Sequence, residues 1–251
     1  MKKLFEKNEI TFAVMLIIIY VVGSSVIMNI SEDALVQNAA AAAFNAVMSV
    51  VLFIFIKKND LMKYVGLCGS DVSAARMWFY IPLVLCAVMP LFFGIGLQLS
   101  PAAVAFRTVS MLFVGFLEEV IFRGFLFKGI CKSNVTRAIV ISSVTFGIGH
   151  IVNLFNGYNI FSNIVQIVFA VAVGFLLVFI FHRTGSLIAC IGFHSLNNSV
   201  NGFASGEFLI NALGSEEAAS IVSAGAKIVI IAIYMIYVIK LPKRQLAVDG
   251  K

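Results

Sequence analysis

Charge is scarce in this sequence. Only 12% of its 251 residues are Asp, Glu, Lys or Arg, while 61% are hydrophobic and the mean hydropathy is +1.03. Soluble domains carry about 25% charged residues, so a soluble globular fold is excluded and a polytopic membrane protein is expected. Cysteine is also sparse. Cys68, Cys86, Cys131 and Cys190 show no CxxC or CxxH spacing, which argues against a disulfide framework and against a thiolate zinc site. There are only three histidines, His150, His182 and His194. No soluble domain, internal repeat or low-complexity linker is present, so the chain reads as a single integral membrane domain over 1–251.

What is abundant is apolar sequence in long runs. These segment into eight expected spans at about 10–30, 34–56, 77–98, 102–127, 138–155, 160–181, 187–203 and 221–239. The fold expected is an all-α bundle of about eight transmembrane helices around a buried polar cavity. The net charge of +6 could suggest a nucleic-acid partner, but its distribution argues against one. With the N-terminus in the cytoplasm, every basic residue falls in an inner segment except Arg107, Arg123 and Lys227, which lie within spans. The inner tail contributes Lys240, Lys243, Arg244 and Lys251. The outer loops hold Glu32, Asp33, Glu207, Glu216 and Glu217. This positive-inside bias places both termini in the cytoplasm and makes the lipid bilayer the partner of the basic charge. MKK before an apolar core resembles a signal peptide, but the core is long and lacks a small-x-small cleavage site before Asn29, so a retained anchor is expected.

Some ionisable groups sit where the bilayer makes them costly. Glu118, Glu119 and Arg123 interrupt SMLFVGFLEEVIFRGFLFKGI, and one charge at the bilayer centre costs about 2.5–3.5 kcal/mol on insertion scales. Residues four apart share a helix face, so Glu119 and Arg123 can neutralise each other. A packing ion pair would account for those two. Glu118 points about 100° away and lacks a nearby partner in sequence. The fifth span carries Phe146 and His150, and the seventh carries His194 and Asn198, each pair again four apart. A lone histidine on an apolar helix is more often a satisfied packing residue, and His with Asn commonly supplies interhelical hydrogen bonds. Depth favours more than packing. At 1.5 Å per residue Glu118, His150 and His194 lie roughly 10–18 Å from the inner ends of their helices, so they can meet at one level.

A buried carboxylate and two imidazoles in a water-accessible pocket suffice for hydrolysis. Imidazole N–H and amide NH2 groups can donate to an oxyanion. Zinc chemistry is the rival, because Glu and two His are acceptable ligands; there is no HExxH, and no cofactor is expected. The short inner loop before the His194 helix suggests a site open to the cytoplasm.

Three motifs then stand in order on separate spans: EEVIFR at 118–123, FGIGH at 146–150 and HSLNN at 194–198. They match EExxxR, FxxxH and HxxxN, and together they resemble the CPBP family of CAAX prenyl proteases and bacteriocin-processing enzymes, also called Abi, over about 100–203. The resemblance implies an intramembrane glutamic endopeptidase. In it Glu118 is the general base, His150 its partner on water, and His194 and Asn198 the oxyanion hole. Glu119, Arg123 and Phe146 are supporting. It also implies a peptide or membrane-protein substrate, a role in peptide maturation or bacteriocin self-immunity, and a membrane-bound regulatory partner. The compact chain looks like the bacterial-type members, hence the bacterial plasma membrane. Two other readings use the same cluster: a proton-coupled transporter, and a non-enzymatic immunity or regulatory scaffold.

Overall fold

The caps that end each apolar run determine where the helices begin. In the computed structural model, which describes residues 1–242, Asn8 caps α2 (Glu9–Met28) by accepting from Thr11 N, after a short α1 (Lys2–Lys7). Asp33 caps α3 (Ala34–Lys58) through Leu35 N and Val36 N. These side chains satisfy amide donors that a helix start leaves unpaired. The next run is less regular. A 3₁₀ turn at Ala75–Tyr80 leads into α4 (Ile81–Val88), and a second one closes it at Met89–Phe93. Trp78, Phe79 and Tyr80 all have positive φ, which is uncommon for residues with a Cβ.

Ser100 caps α5 (Pro101–Glu119), which runs without a break through a π-helical segment, Val120–Phe127, into α6 (Lys128–Cys131). Asn134 caps α7 (Val135–Gly149), which tightens to 3₁₀ over His150–Asn156. Asn159 caps α8 (Ile160–Thr184), and Gly185 ends it with φ 69°. The remaining helices are α9 (Ile188–Val200), α10 (Glu207–Leu213) and α11 (Glu216–Lys240), the last capped by Ser215. The fold is therefore all-α, as expected. The only strand-like pairing among the described residues is a single antiparallel bridge between Ile95 and Ala204.

Among the described residues, six helical stretches are long and apolar enough to cross a bilayer: 9–28, 34–58, 75–93, 135–156, 160–184 and 216–240. The count of eight is not reached by length and composition. The stretch 101–131 carries Arg107, Glu118, Glu119, Arg123 and Lys128. The 13-residue α9 spans only about 20 Å at 1.5 Å per residue, against a hydrocarbon core of about 30 Å. The third expected span also ends early: its helical part stops at Phe93, not 98. The expected tail charges Lys243, Arg244 and Lys251 lie outside the described residues.

The π-helical segment is the centre of the bundle, and every one of its residues is buried. Helix α2 packs against it, α5 packs on both α3 and α9, and α8 packs on both α7 and α11. Glycines permit close approaches between helices. A Cβ on Gly115 would stand 2.7 Å from Ser195 N in α9, and one on Gly174 would stand 2.9 Å from Ser143 O in α7. Without hydrophobic drive inside lipid, such small-residue contacts are how helices gain packing energy. The basic end of the bundle is covered by the 59–74 loop, where Leu187 N donates to Gly66 O (2.8 Å), Asp71 N to Thr184 O (2.9 Å) and Ser186 Oγ to Cys68 O (2.6 Å).

Candidate active site

Gly115 brings α5 against α9, and this contact determines what faces Glu118 and Glu119 one turn later. His194 lies across from them. Its Nδ1 is 2.9 Å from Glu119 Oε1, and its Nε2 is 3.4 Å from Glu118 Oε2. Arg123 Nη1 donates to the same Glu119 oxygen at 2.9 Å. Glu119 and Arg123 are wholly buried, so the pair expected from their i, i+4 spacing is present. The Nδ1 contact is a hydrogen bond, whereas the longer Nε2 contact is not aligned as one, and Glu118 Oε2 has no hydrogen-bond partner among the described residues.

Glu118, which has no partner nearby in sequence, finds one from a distant span. Tyr20 of α2 donates its hydroxyl to Glu118 Oε1 at 2.8 Å. This contact joins the first span to the catalytic core, and neither hydropathy nor motif indicated it.

Phe146 organises the other side. Arg123 Cζ sits 4.1 Å from its ring centroid, a cation–π geometry that is strengthened where water is excluded. The same ring makes edge contacts with His150 and His194, each at 5.6 Å between centroids. His150 comes at the junction where α7 tightens to 3₁₀, and its carbonyl accepts from Asn163 Nδ2 at 2.9 Å. Ser142 Oγ of α7 donates to the Phe122 carbonyl at 2.9 Å, tying α7 to the π-helical segment.

Phe146, His150, His194 and Asn198 are walls of one cavity of about 110 Å³. Asn197, Asn201 and Gln166 complete its polar lining. Glu118 lies behind His194 rather than in the wall. All four side chains expected to be catalytic are therefore near one another, three around the cavity and Glu118 in contact with His194. Among the described residues, no three His, Cys, Asp or Glu side chains are grouped as metal ligands. His182, the third histidine, lies elsewhere, at the C-terminal end of α8 against Phe127.

The larger cavity near the site lies at the end of the bundle opposite to the one expected from loop length. The small cavity shares Gln166, Phe169 and Asn201 with a larger one of about 520 Å³, which reaches Gln98, Ser205 and Glu216. Those residues belong to the end of the bundle that carries the acidic loops. The end expected to admit water is the one covered by the 59–74 loop, where Arg183, Thr184 and Ser186 are buried.

Residues 100–200 match the model of the family described as Rce1-like, type II CAAX prenyl endopeptidase Rce1-like. Comparison with curated proteins and with solved structures finds no match. The matched stretch contains all three motifs and all seven expected site residues. The resemblance to the CPBP family is thus shown over that stretch. At the level of the family it supports an intramembrane protease in a membrane protein with several apolar helices.

Proposed function

We propose that the protein is an intramembrane endopeptidase of the glutamic type, hydrolysing a peptide bond in a peptide or membrane-associated protein. The observation that carries this reading is the contact of His194 with both glutamates at the wall of a cavity shared with His150 and Asn198. Glu118 Oε2 is the acceptor for a proton from water that passes beside His194 from the cavity, with His150 orienting that water from the cavity wall. His194 gives Nδ1–H to Glu119, so an N–H at Nε2 as well requires the doubly protonated ring. Glu118, Glu119 and Arg123 stand around that ring. Asn198 receives Asn197 Nδ2 on its carbonyl oxygen at 3.2 Å, which leaves its own NH2 as a donor. His194 Nε2–H and Asn198 NH2 then stabilise the oxyanion formed as water attacks the carbonyl.

The membrane is the bacterial plasma membrane in this reading, with both termini cytoplasmic. The test is turnover of a fluorogenic peptide library by purified protein in detergent. Cleavage by the wild type that is lost in Glu118→Gln supports the reading. Cleavage undiminished in Glu118→Gln, or none by a folded wild type, overturns it.

A further inference from the structure

Lys227 lies near the middle of α11, in a span of otherwise apolar and small residues, and only 5% of it is exposed. A lysine at this depth is costly, and such residues usually mark a ligand path or pair with an acid. No carboxylate is paired with it among the described residues. Its Nζ donates to Asn197 Oδ1 at 3.2 Å and stands 5.2 Å from the Phe169 ring centroid. Glu216, an acid in the wall of the same large cavity, is 11 residues away along the helix, or about 16 Å.

Its location gives the charge a use. Lys227 is a wall of the large cavity, and its partner Asn197 is a wall of the small one. Phe169, under the ammonium, belongs to both. The cation thus stands where a chain entering from the wide cavity would pass to reach His194 and Asn198. An ammonium offers three donors and no acceptor, and Asn197 with the Phe169 ring leaves it short of a full counter-charge.

We propose that Lys227 forms an anion subsite that holds a carboxylate of the substrate beside the scissile bond. This rests on the endopeptidase reading and adds a substrate class to it: peptides with a carboxylate close to the bond cleaved. The carboxylate comes from a free C-terminus or from an Asp or Glu side chain. Lys227 is a specificity-determining residue here and takes no part in the bond cleavage.

The probes are three short blocked peptides: acetyl-Ala-Leu-Val with a free C-terminal carboxylate, the same peptide as its C-terminal amide, and acetyl-Ala-Asp-Val as its amide. Their affinities are measured by calorimetry in detergent on Glu118→Gln, so that turnover does not intervene. The free acid is expected to bind about 10-fold more tightly than its amide, the scale of a charge-assisted hydrogen bond. Adding Lys227→Gln should abolish that preference, and Lys227→Arg should keep most of it. A preference recovered by the Asp peptide assigns the anion to a side chain; one confined to the free acid assigns it to a C-terminus. Should Lys227→Gln fail to fold, Lys227→Met, which keeps the apolar stem, takes its place, and the acid–amide contrast needs no change at Lys227.

A neutral Ala-Leu-Val amide that binds as tightly as both the free acid and the Asp peptide, no binding of any probe at millimolar concentration, or a carboxylate preference that survives Lys227→Gln overturns the subsite. The outcome is separable from the endopeptidase reading. Carboxylate preference without cleavage by the wild type removes the protease and leaves the subsite. Glu118-dependent cleavage without that preference does the reverse.

Discussion

Tyr20 and Glu118 are 98 positions apart in the chain and 2.8 Å apart in space, the phenol donating to the carboxylate. Both groups are buried, so the bond fixes one oxygen of Glu118 and leaves the other facing His194. Tyr20→Phe removes only this donor. The expected result is a fall in kcat of about 10-fold or more, with KM little changed, because a hydrogen bond to a charged group contributes about 1.5–3 kcal/mol. Parallel kinetics on the variant and wild type check this, and an unaltered kcat would show that Glu118 needs no such restraint.

The two glutamates should fail in different ways. Glu118→Gln keeps the shape and a hydrogen-bonding head but removes the base, so turnover should drop by about 10²–10⁴-fold while the protein still folds. Glu119→Gln strips the wholly buried Arg123 of its carboxylate, and breaking a buried pair in this way costs about 3–5 kcal/mol. Its signature is a lowered unfolding temperature and yield. Activity per folded molecule, measured beside thermal unfolding, separates the two, and equal losses of both kinds in both variants would contradict the division of roles.

Gly115 is predicted to control the site without belonging to it. A Cβ there would stand 2.7 Å from Ser195 N and would also meet Ser195 Oγ, so backbone must move. Gly115→Ala should push α5 away from α9 and widen the gap from Glu118 to His194, at a cost of about 1–3 kcal/mol in packing. Gly192→Ala is the control, since nothing lies within 4 Å of a Cβ built there. Similar stability and activity in both variants would mean that the α5–α9 contact does not position the site.

Thiol accessibility tests the direction of entry. In a background with the four native cysteines removed, Ser220→Cys and Ser223→Cys, both in the wall of the large cavity, should react with a membrane-impermeant maleimide added at the acidic face. A cysteine restored at 131, which is half-buried near the basic end, should react only from the opposite face. Labelling of all three from the basic face would restore the cytoplasmic opening expected from the short loop before α9.

What could and could not be read in the chain follows the range of each interaction. The Glu119–Arg123 pair was legible because both residues lie on one helix turn, where spacing alone settles adjacency. The common cavity of His150, His194 and Asn198 was legible through helix depth and motif order, since separate elements must converge to make it. Tyr20 was not legible, because its partner is in another span and a tyrosine within an apolar run signals nothing by itself. The π-helical turns at Val120–Phe127 left no trace in a 3.6-residue period. The large cavity lies away from the end that loop length pointed to, for a related reason. Hydropathy sees the 59–74 loop as a polar linker, yet its carbonyls at Gly66 and Cys68 accept from Leu187 N and Ser186 Oγ and close that end.

Metal dependence distinguishes the glutamic mechanism from its rival. His194 presents both ring nitrogens to carboxylates, at 2.9 and 3.4 Å, and Glu119 is already shared with Arg123. A zinc site would need His150 and His194 as equivalent neutral ligands, and loss of either would strip the metal and abolish activity together. In the proposed mechanism the two differ. His194→Ala and Asn198→Ala each lose oxyanion stabilisation worth about 2.7–4 kcal/mol while substrate still binds, and His150→Ala loses the orientation of water. In a zinc enzyme Asn198→Ala would cost only about 10–100-fold, as a residue supporting the ligands. Elemental analysis of folded protein, with activity assayed after exhaustive chelation and dialysis, decides between them. The expected outcome is chelator-resistant cleavage without stoichiometric zinc. One zinc per chain, with activity restored only when zinc is added back, would make the protein a metalloprotease.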